Sequence, residues 1–296
     1  MTTLILVLVL VFLFLAYSRY IIYTLFHLPT VSKFIFKDLY KYIKYKKYNN
    51  FTNYGVITMY TASGTQVFGS GKTLSMVKDV IRIYKQYNNK LVWDEDLEQF
   101  VTQQIHIISN VELKEVPYIK FNSVNQFVDI EKYGFNRWDI TLYVLDESGA
   151  IFNSREFRSN VPSEMLTRLL QSRKNKCCLF MTSQRLGFTD KILRQICCVV
   201  YECSKKWRFV ILKAYNPLDL EYAYNPELIK PKTSMIYFCT DALYNMYNTY
   251  QLIEDMNKKY TPISDKEVLD SYGTNQGDIN LINPRKLKKF VKGGKK

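Results

Sequence analysis

Residues 69–73 read Gly-Ser-Gly-Lys-Thr, directly after an apolar run and directly before a helical pattern. Glycines at 69 and 71 let backbone N–H groups converge on an anion at a helix N-terminus, where the aligned peptide dipoles favour negative charge. Lys72 can reach the β and γ phosphates of a nucleotide, and the Thr73 hydroxyl can ligate Mg²⁺. Gly69, Ser70, Gly71, Lys72, Thr73 and Leu74 are therefore the expected ATP-binding residues. The full Walker A template, G-x-x-x-x-G-K-[ST], has its first glycine where this chain has Gln66. Gly64, two residues earlier, is expected to loosen the turn instead.

A second constellation lies in "LYVLDE" (142–147). Asp146 ends an apolar strand pattern, where it can hold Mg²⁺ together with Thr73. Glu147, beside it, is the candidate general base that orients an attacking water. Adjacent Asp and Glu point to a hydrolysing ATPase rather than a kinase, which must shield its phosphate from water. The third motif is "FMTSQR" (180–185), in which Gln184 is the candidate γ-phosphate sensor on a strand beside that of Asp146. Phosphoryl transfer also gains from a positive charge supplied by a neighbouring subunit. Arg173 is the first candidate and Arg194 the second, while Arg155, Arg158 and Arg168 fit DNA or surface contacts equally well.

The elements that must position these groups are read from periodicity. "YGVITMYT" (54–61), "QIHIISNVEL" (104–113), "DITLYVLDE" (139–147) and "CCLFMTSQ" (177–184) read as strands. "KTLSMVKDVIRIYKQY" (72–87) carries apolar residues at 74, 77, 80, 81 and 84, one face of a helix. "VPSEMLTRLLQSRKN" (161–175) reads as a second helix, opened by Pro162. "CCVVYEC" (197–203) and "RFVILKAY" (208–215) read as a hairpin. Strands alternating with helices give an α/β fold with a mostly parallel central sheet. The six cysteines lack C-x-x-C spacing and read as reduced thiols, and the two histidines have no ligand-spaced companions, so no structural metal is expected.

Outside this core the chain is basic and, at its start, very apolar. Its 41 Lys and Arg against 27 Asp and Glu give a formal charge of +14, which favours nucleic acid or an anionic membrane as partner. Hydrophobic residues make up 47% of the 296, which excludes a largely disordered chain. "LILVLVLVFLFLAYSRYIIYTLFHL" (4–28) holds a single charge, Arg19, and reads as a transmembrane helix over residues 1–28. A signal peptide fits less well, for want of a basic n-region and an A-x-A-like site, and a buried helix is the third reading. Lys33, Lys37, Lys41, Lys44, Lys46 and Lys47 make 29–50 a basic juxtamembrane segment and place the residues after 30 in the cytoplasm. The ATPase domain is expected over 51–251, and a C-terminal extension with a basic tail over 252–296.

Three stretches in this order, "GSGKT" (69–73), "LYVLDESGAIFNSR" (142–155) and "SRKNKCCLFMTSQRLGFTDKILRQI" (172–196), resemble the FtsK–HerA branch of P-loop ATPases. The likeness is greatest to the zonula occludens toxin-like (Zot) assembly ATPases of filamentous phages. In that family a strand ending in Thr-x-Gln is followed by a segment closing on Asp and Arg, matched by Asp190 and Arg194. The tyrosine-rich "YNMYNTYQ" (244–251) is also similar. Two departures stand out: Gln66 replaces a glycine, and the apolar segment precedes the ATPase, whereas Zot proteins usually carry theirs after it.

The resemblance implies a RecA-like P-loop fold, ATP and Mg²⁺ as cofactors, and a homo-oligomeric ring, a hexamer as in relatives. It implies a membrane-anchored ATPase that moves phage DNA during virion assembly, by genome packaging or extrusion. Two other readings remain open: a nucleotide-switched membrane scaffold that contacts capsid or other assembly proteins, and a motor for plasmid transfer or chromosome partition.

Overall fold

The computed structural model describes residues 54–248 except 65, 95–96, 153–162 and 226–227, and before them residues 22–45 and 48 with positions 6, 7, 11, 12, 17, 18 and 20. The chain divides into two compact units, Met1–Asn49 and Asn50–Lys296. In the first, helix α1 (Leu28–Tyr45) has no buried residue. Lysines at 33, 37, 41 and 44 recur at helical spacing along one side of it, while Ile35, Leu39, Tyr42 and Ile43 are exposed around the rest. Among the described residues no helix is long and apolar enough to cross a membrane. Eleven of the 25 residues of the apolar segment 4–28, everything after 248, and Arg155 and Arg158 fall outside the described residues.

The second unit is built on one sheet. Its strands are β1 (Ile57–Ala62), β4 (Ile105–Ser109), β5 (Ile119–Lys120), β6 (Ile140–Leu145), β7 (Cys177–Thr182), β8 (Val199–Lys206), β9 (Phe209–Tyr215) and β10 (Thr233–Phe238). Their order across the sheet is β10-β9-β8-β1-β7-β6-β4-β5. The five strands from β8 to β4 run parallel, as does the short β5, while β9 and β10 fold back antiparallel on β8. A hairpin of β2 (Lys90–Asp94) and β3 (Gln99–Gln103) stands apart as a second sheet.

Near-continuous apolar runs are what a sheet buried on both faces requires, because successive side chains alternate between faces. On β6, Ile140, Leu142 and Val144 join the cluster beneath helix α2 (Lys72–Tyr87), while Tyr143 and Leu145 point to the other face. β7 alternates likewise, with Cys178 and Phe180 towards α2 and Cys177, Leu179 and Met181 away from it. The α2 face is sealed by Leu74, Met76, Val77, Val80, Ile81 and Ile83. The opposite face is covered by α3 (Asn125–Val128) with Phe127, α5 (Ser163–Leu170) with Met165 and Leu169, and α6 (Lys191–Ile196) with Leu193; α4 (Ser148–Ile151) adds Ile151. All six cysteines are free thiols and five are buried. Burial pushes the Cys177, Cys197 and Cys203 thiols up to about 12, so they behave as small apolar groups.

Boundaries differ from the sequence expectation where polar side chains intervene. The run 104–113 ends as a strand at Ser109, because the Ser109 hydroxyl donates to Val111 O (2.8 Å) and accepts from Val111 N (3.0 Å), turning the backbone. The helix expected over 161–175 is described from Ser163 and stops at Leu170. Residues after it bend back to β1, where Ser172 Oγ donates to Gly55 O at 3.1 Å. Gly55 has φ +85, and a Cβ there would lie 2.8 Å from the Arg173 backbone, so only glycine fits.

Asp139 ties β4 to β6. Its carboxylate accepts from Gln104 N (2.9 Å), Asn136 N (3.0 Å) and Asn136 Nδ2 (2.9 Å), and meets His106 Nε2 at 3.3 Å. Burial pushes the carboxyl up, but the bonds from His106 and the two backbone amides outweigh it and hold the group below the usual range. A folded-state pKa below the unfolded one stabilises above the ordinary aspartate value and is lost as pH falls through the depressed one. Asp139→Asn should therefore cost about 1–2 kcal/mol at pH 7 and flatten the acid side of the stability curve, as urea melts across pH 2–7 will measure.

Candidate nucleotide site

The period-two alternation that builds the core also aims the site. Asp146 and Thr182 continue the α2-facing rows of β6 and β7, one residue past Leu145 and one past Met181, which pair with each other. Both side chains therefore emerge at the carboxy ends of the strands on the face where α2 begins. Thr73 Oγ1, in the first turn of α2, donates to Asp146 Oδ1 at 2.8 Å, and Thr182 Oγ1 donates to the same oxygen at 2.5 Å. Thr182 also accepts from Glu147 N at 2.9 Å. From the next strand out, Asn110 Nδ2 donates to Asp146 O (2.9 Å), and Asp146 N donates to Asn110 Oδ1 (2.8 Å).

Burial raises the Asp146 carboxyl above the usual aspartate range, against the hydrogen bonds from Thr182, Thr73 and the Glu147 amide and the charge of Lys72. A divalent cation at this oxygen would supply the countercharge that burial demands. Hydroxyl and carboxylate oxygens are the hard donors Mg²⁺ takes.

The loop before α2 is shaped for an anion. Gly69 and Gly71 have φ +66 and +87, left-handed values that a side chain would strain. α2 has no acid in its first turn and no side-chain cap, so its first N–H groups have no local side-chain acceptor. The Ser70 hydroxyl is 1% exposed and has no hydrogen-bond partner among the described residues. These features fit a phosphate group. Lys72 Nζ donates to Val67 O at 2.7 Å, folded over the loop that it would leave to reach a phosphate. Leu74 contributes its backbone here, while its side chain is core.

Gln66 has a structural task that the template does not foresee. Its side chain donates to Lys205 O (3.1 Å) and accepts from Lys205 N (3.3 Å), completing a strand-like pair with β8. The substitution thus anchors the loop to the hairpin beside it. Gly64, with φ +57 and open space where a Cβ would be, makes the preceding turn.

The remaining predicted residues separate. Glu147 is exposed at φ +49, directly after the strand, with its backbone fixed by Thr182 and its carboxylate at the surface. Gln184 lies two residues beyond Thr182 and is half-buried; the residue of this strand that touches Asp146 is Thr182. β7 lies between β1 and β6, beside the strand that leads into Asp146. Arg173 is exposed in the turn before β7, against Gly55, at the amino end of the strand whose carboxy end carries Thr182. Within one chain the length of β7 separates it from Thr182, so it does not join the residues gathered around Asp146. Arg194 pairs with Glu221 of its own chain at 3.0 Å, Arg168 pairs with Glu131 at 2.9 Å, and Asp190 caps α6 through Ile192 N at 2.7 Å. All three are engaged within their own chain. Thr182, Asn110 and Gln66 are the residues that sequence reasoning missed. Thr182 lay within the Thr-x-Gln pattern, but nothing near Asn110 marks its partner 36 residues on.

No protein-family model matches the chain, and no curated protein is similar to it. Solved structures are. The N-terminal domain of zonular occludens toxin from Neisseria meningitidis is 18% identical, with 65% of this chain and 98% of that one covered and a TM-score of 0.41. B204, the DNA-packaging ATPase of Sulfolobus turreted icosahedral virus, is 12% identical, with 62% and 98% covered and a TM-score of 0.40. The genome packaging NTPase B204 of Sulfolobus turreted icosahedral virus 2, in complex with ATP-gammaS, is 12% identical, with 62% and 96% covered and a TM-score of 0.37. The chain is similar to a Zot domain and to viral genome-packaging NTPases.

Removing the Thr182 hydroxyl leaves the shape of β7 but strips Asp146 and the Glu147 amide of a shared partner. Thr182→Val should lower stability by about 1–3 kcal/mol, read as a shift in the denaturation midpoint. Gln66→Ala should cost about 1 kcal/mol or less, because its bonds are exposed.

Proposed function

We propose that the chain is a membrane-tethered, Mg²⁺-dependent ATPase that uses hydrolysis to move phage DNA during virion assembly. The observation that carries the reading is the shared Asp146 carboxylate, with Thr73 of the helix start and Thr182 of the neighbouring strand on one oxygen. Those hydroxyl and carboxylate oxygens, at the mouth of a loop suited to an anion, would suit a hard cation.

Each residue then has a task. The Gly69–Thr73 amides and the Ser70 hydroxyl would hold phosphate oxygens, and Lys72 would swing from Val67 O to neutralise the β and γ groups. Thr73 and Asp146 would hold Mg²⁺, whose chemistry is to offset the charge that builds on the phosphate oxygens as the bond breaks. Glu147 would accept the proton of the attacking water, giving ADP and phosphate. An arginine of a neighbouring copy, Arg173 being the candidate, would complete the charge balance in a ring. Gln184, beyond the end of β7, would sense the terminal phosphate.

The motion and its place rest on further features. The net charge of +14 would draw the DNA backbone. The apolar segment 4–28 followed by basic residues, and the lysine stripe with exposed apolar residues on α1, support a tether with the ATPase on the cytoplasmic side. The motif order of the Zot-like ATPases supports virion assembly over plasmid transfer.

Full-length protein in detergent should hydrolyse ATP with Mg²⁺ and accelerate when DNA is added. Lys72→Ala should abolish turnover, and Glu147→Gln should slow it about a hundredfold or more while leaving ATP binding intact. Normal turnover in the Lys72→Ala protein would sink the enzymatic reading. Hydrolysis indifferent to DNA at low salt would replace the motor with an assembly scaffold.

A further inference from the structure

The β8–β9 hairpin ends in an aromatic cluster that the hydrolytic groups do not use. Trp207 sits at its tip, 73% exposed and at φ +55. The ring centroids of Phe209 and Phe238 lie 5.9 and 5.8 Å from the indole and 5.3 Å from each other, so the two phenyl rings back it from one side. A bulky residue in the left-handed region is uncommon, and so large an exposed aromatic surface needs a partner.

The location of the hairpin says which partner. In the proposed site Thr73, Asp146 and Thr182 would put the cation, and hence the terminal phosphate, on the β7–β6 side of β1. A nucleotide lying along the loop must leave on the other side, where the neighbour of β1 is β8. The pairing of β1 with β8 ends at Ala62 and Cys203, but β8 continues through Ser204, Lys205 and Lys206. At roughly 3.3 Å per residue, the hairpin projects about 10 Å past the end of β1, alongside the loop. It is also attached to that loop: Gln66 makes its two bonds to Lys205, and a Cβ on Gly71 would come 3.1 Å from Val210 Cγ2.

We propose that Trp207 is the base platform of this site, stacking its indole on the nucleobase of the triphosphate held by the loop. The proposal rests on the nucleotide reading above and adds the contact that distinguishes a nucleotide from a bare polyphosphate. A nucleic-acid strand is the weaker fit, because two of the flanking cations are engaged on their own chain. Lys205 Nζ lies 4.6 Å over the Tyr244 ring, and Arg208 pairs with Asp241 at 2.7 Å. With Lys205 and Arg208 so engaged, the tip offers ring faces and the exposed Lys206 rather than a row of free charge.

The test compares ATP with inorganic tripolyphosphate, which has the phosphates but no base, by titration calorimetry on the full chain. Trp207→Ala should weaken ATP about tenfold or more, leave tripolyphosphate unchanged, and recover most of the loss as Trp207→Phe. The exposed position predicts an unchanged melting temperature, a control for folding. Equal loss for both ligands, or loss for neither while the wild type binds both, overturns the platform and leaves the nucleotide site standing. Loss of DNA stimulation at unchanged ATP affinity overturns it in favour of a nucleic-acid contact. Failure of the wild type to bind either ligand removes the nucleotide reading, and this proposal with it.

Discussion

One carboxylate oxygen gathers the candidate site of the second unit. Asp146 Oδ1 accepts from Thr73 and from Thr182, residues 73 and 36 positions away along the chain. Burying a carboxylate is costly unless its lone pairs are met, so strand ends and helix start must all be in place at once. Asn110 clamps the same residue through its backbone from just past the end of β4. The site is therefore a convergence of three segments on an acid carried by a fourth, and the parallel sheet is the scaffold that brings them there.

That arrangement explains the economy of the surrounding sequence. A parallel sheet gathers the carboxy ends of its strands on one edge, and ligands of such sheets bind outside that edge. The same alternation that fills two apolar layers decides which polar residue at each strand end turns towards α2. Packing and chemistry thus share one periodicity. A one-residue slip of β6 against β7 would move both Asp146 and the core residues to the wrong face.

The hairpin of β8 and β9 adds a second device. The loop's departure from the glycine template is compensated by pairing Gln66 with the backbone of β8, so a flexible position becomes an anchored one. From the loop the connection runs on into α2, where Ser75 Oγ donates to Gly71 O at 2.7 Å and lies 2.8 Å from the Tyr237 hydroxyl on the edge strand. The antiparallel end of the sheet is therefore joined to the glycine-rich loop at Gln66 and, through Ser75, at Gly71.

Much was legible in the sequence because it is local. The left-handed turns of the loop need glycines at fixed spacing before a helix, and the strands β1, β6 and β7 need continuous apolar runs, so both are written in neighbouring residues. The β2–β3 hairpin and the edge strand β10 left no such signal, since their residues are largely exposed and their pairing does the work of burial. Partnership was decided by tertiary structure alone. It chose Thr182 over Gln184 as the strand's contact with Asp146, set β7 between β1 and β6, paired Arg194 with Glu221, and gave Gln66 a backbone to hold. The physical reason is that a hydrogen bond reports distance in space. A chain written in one dimension specifies which groups can bond, and only the folded sheet determines which of them meet.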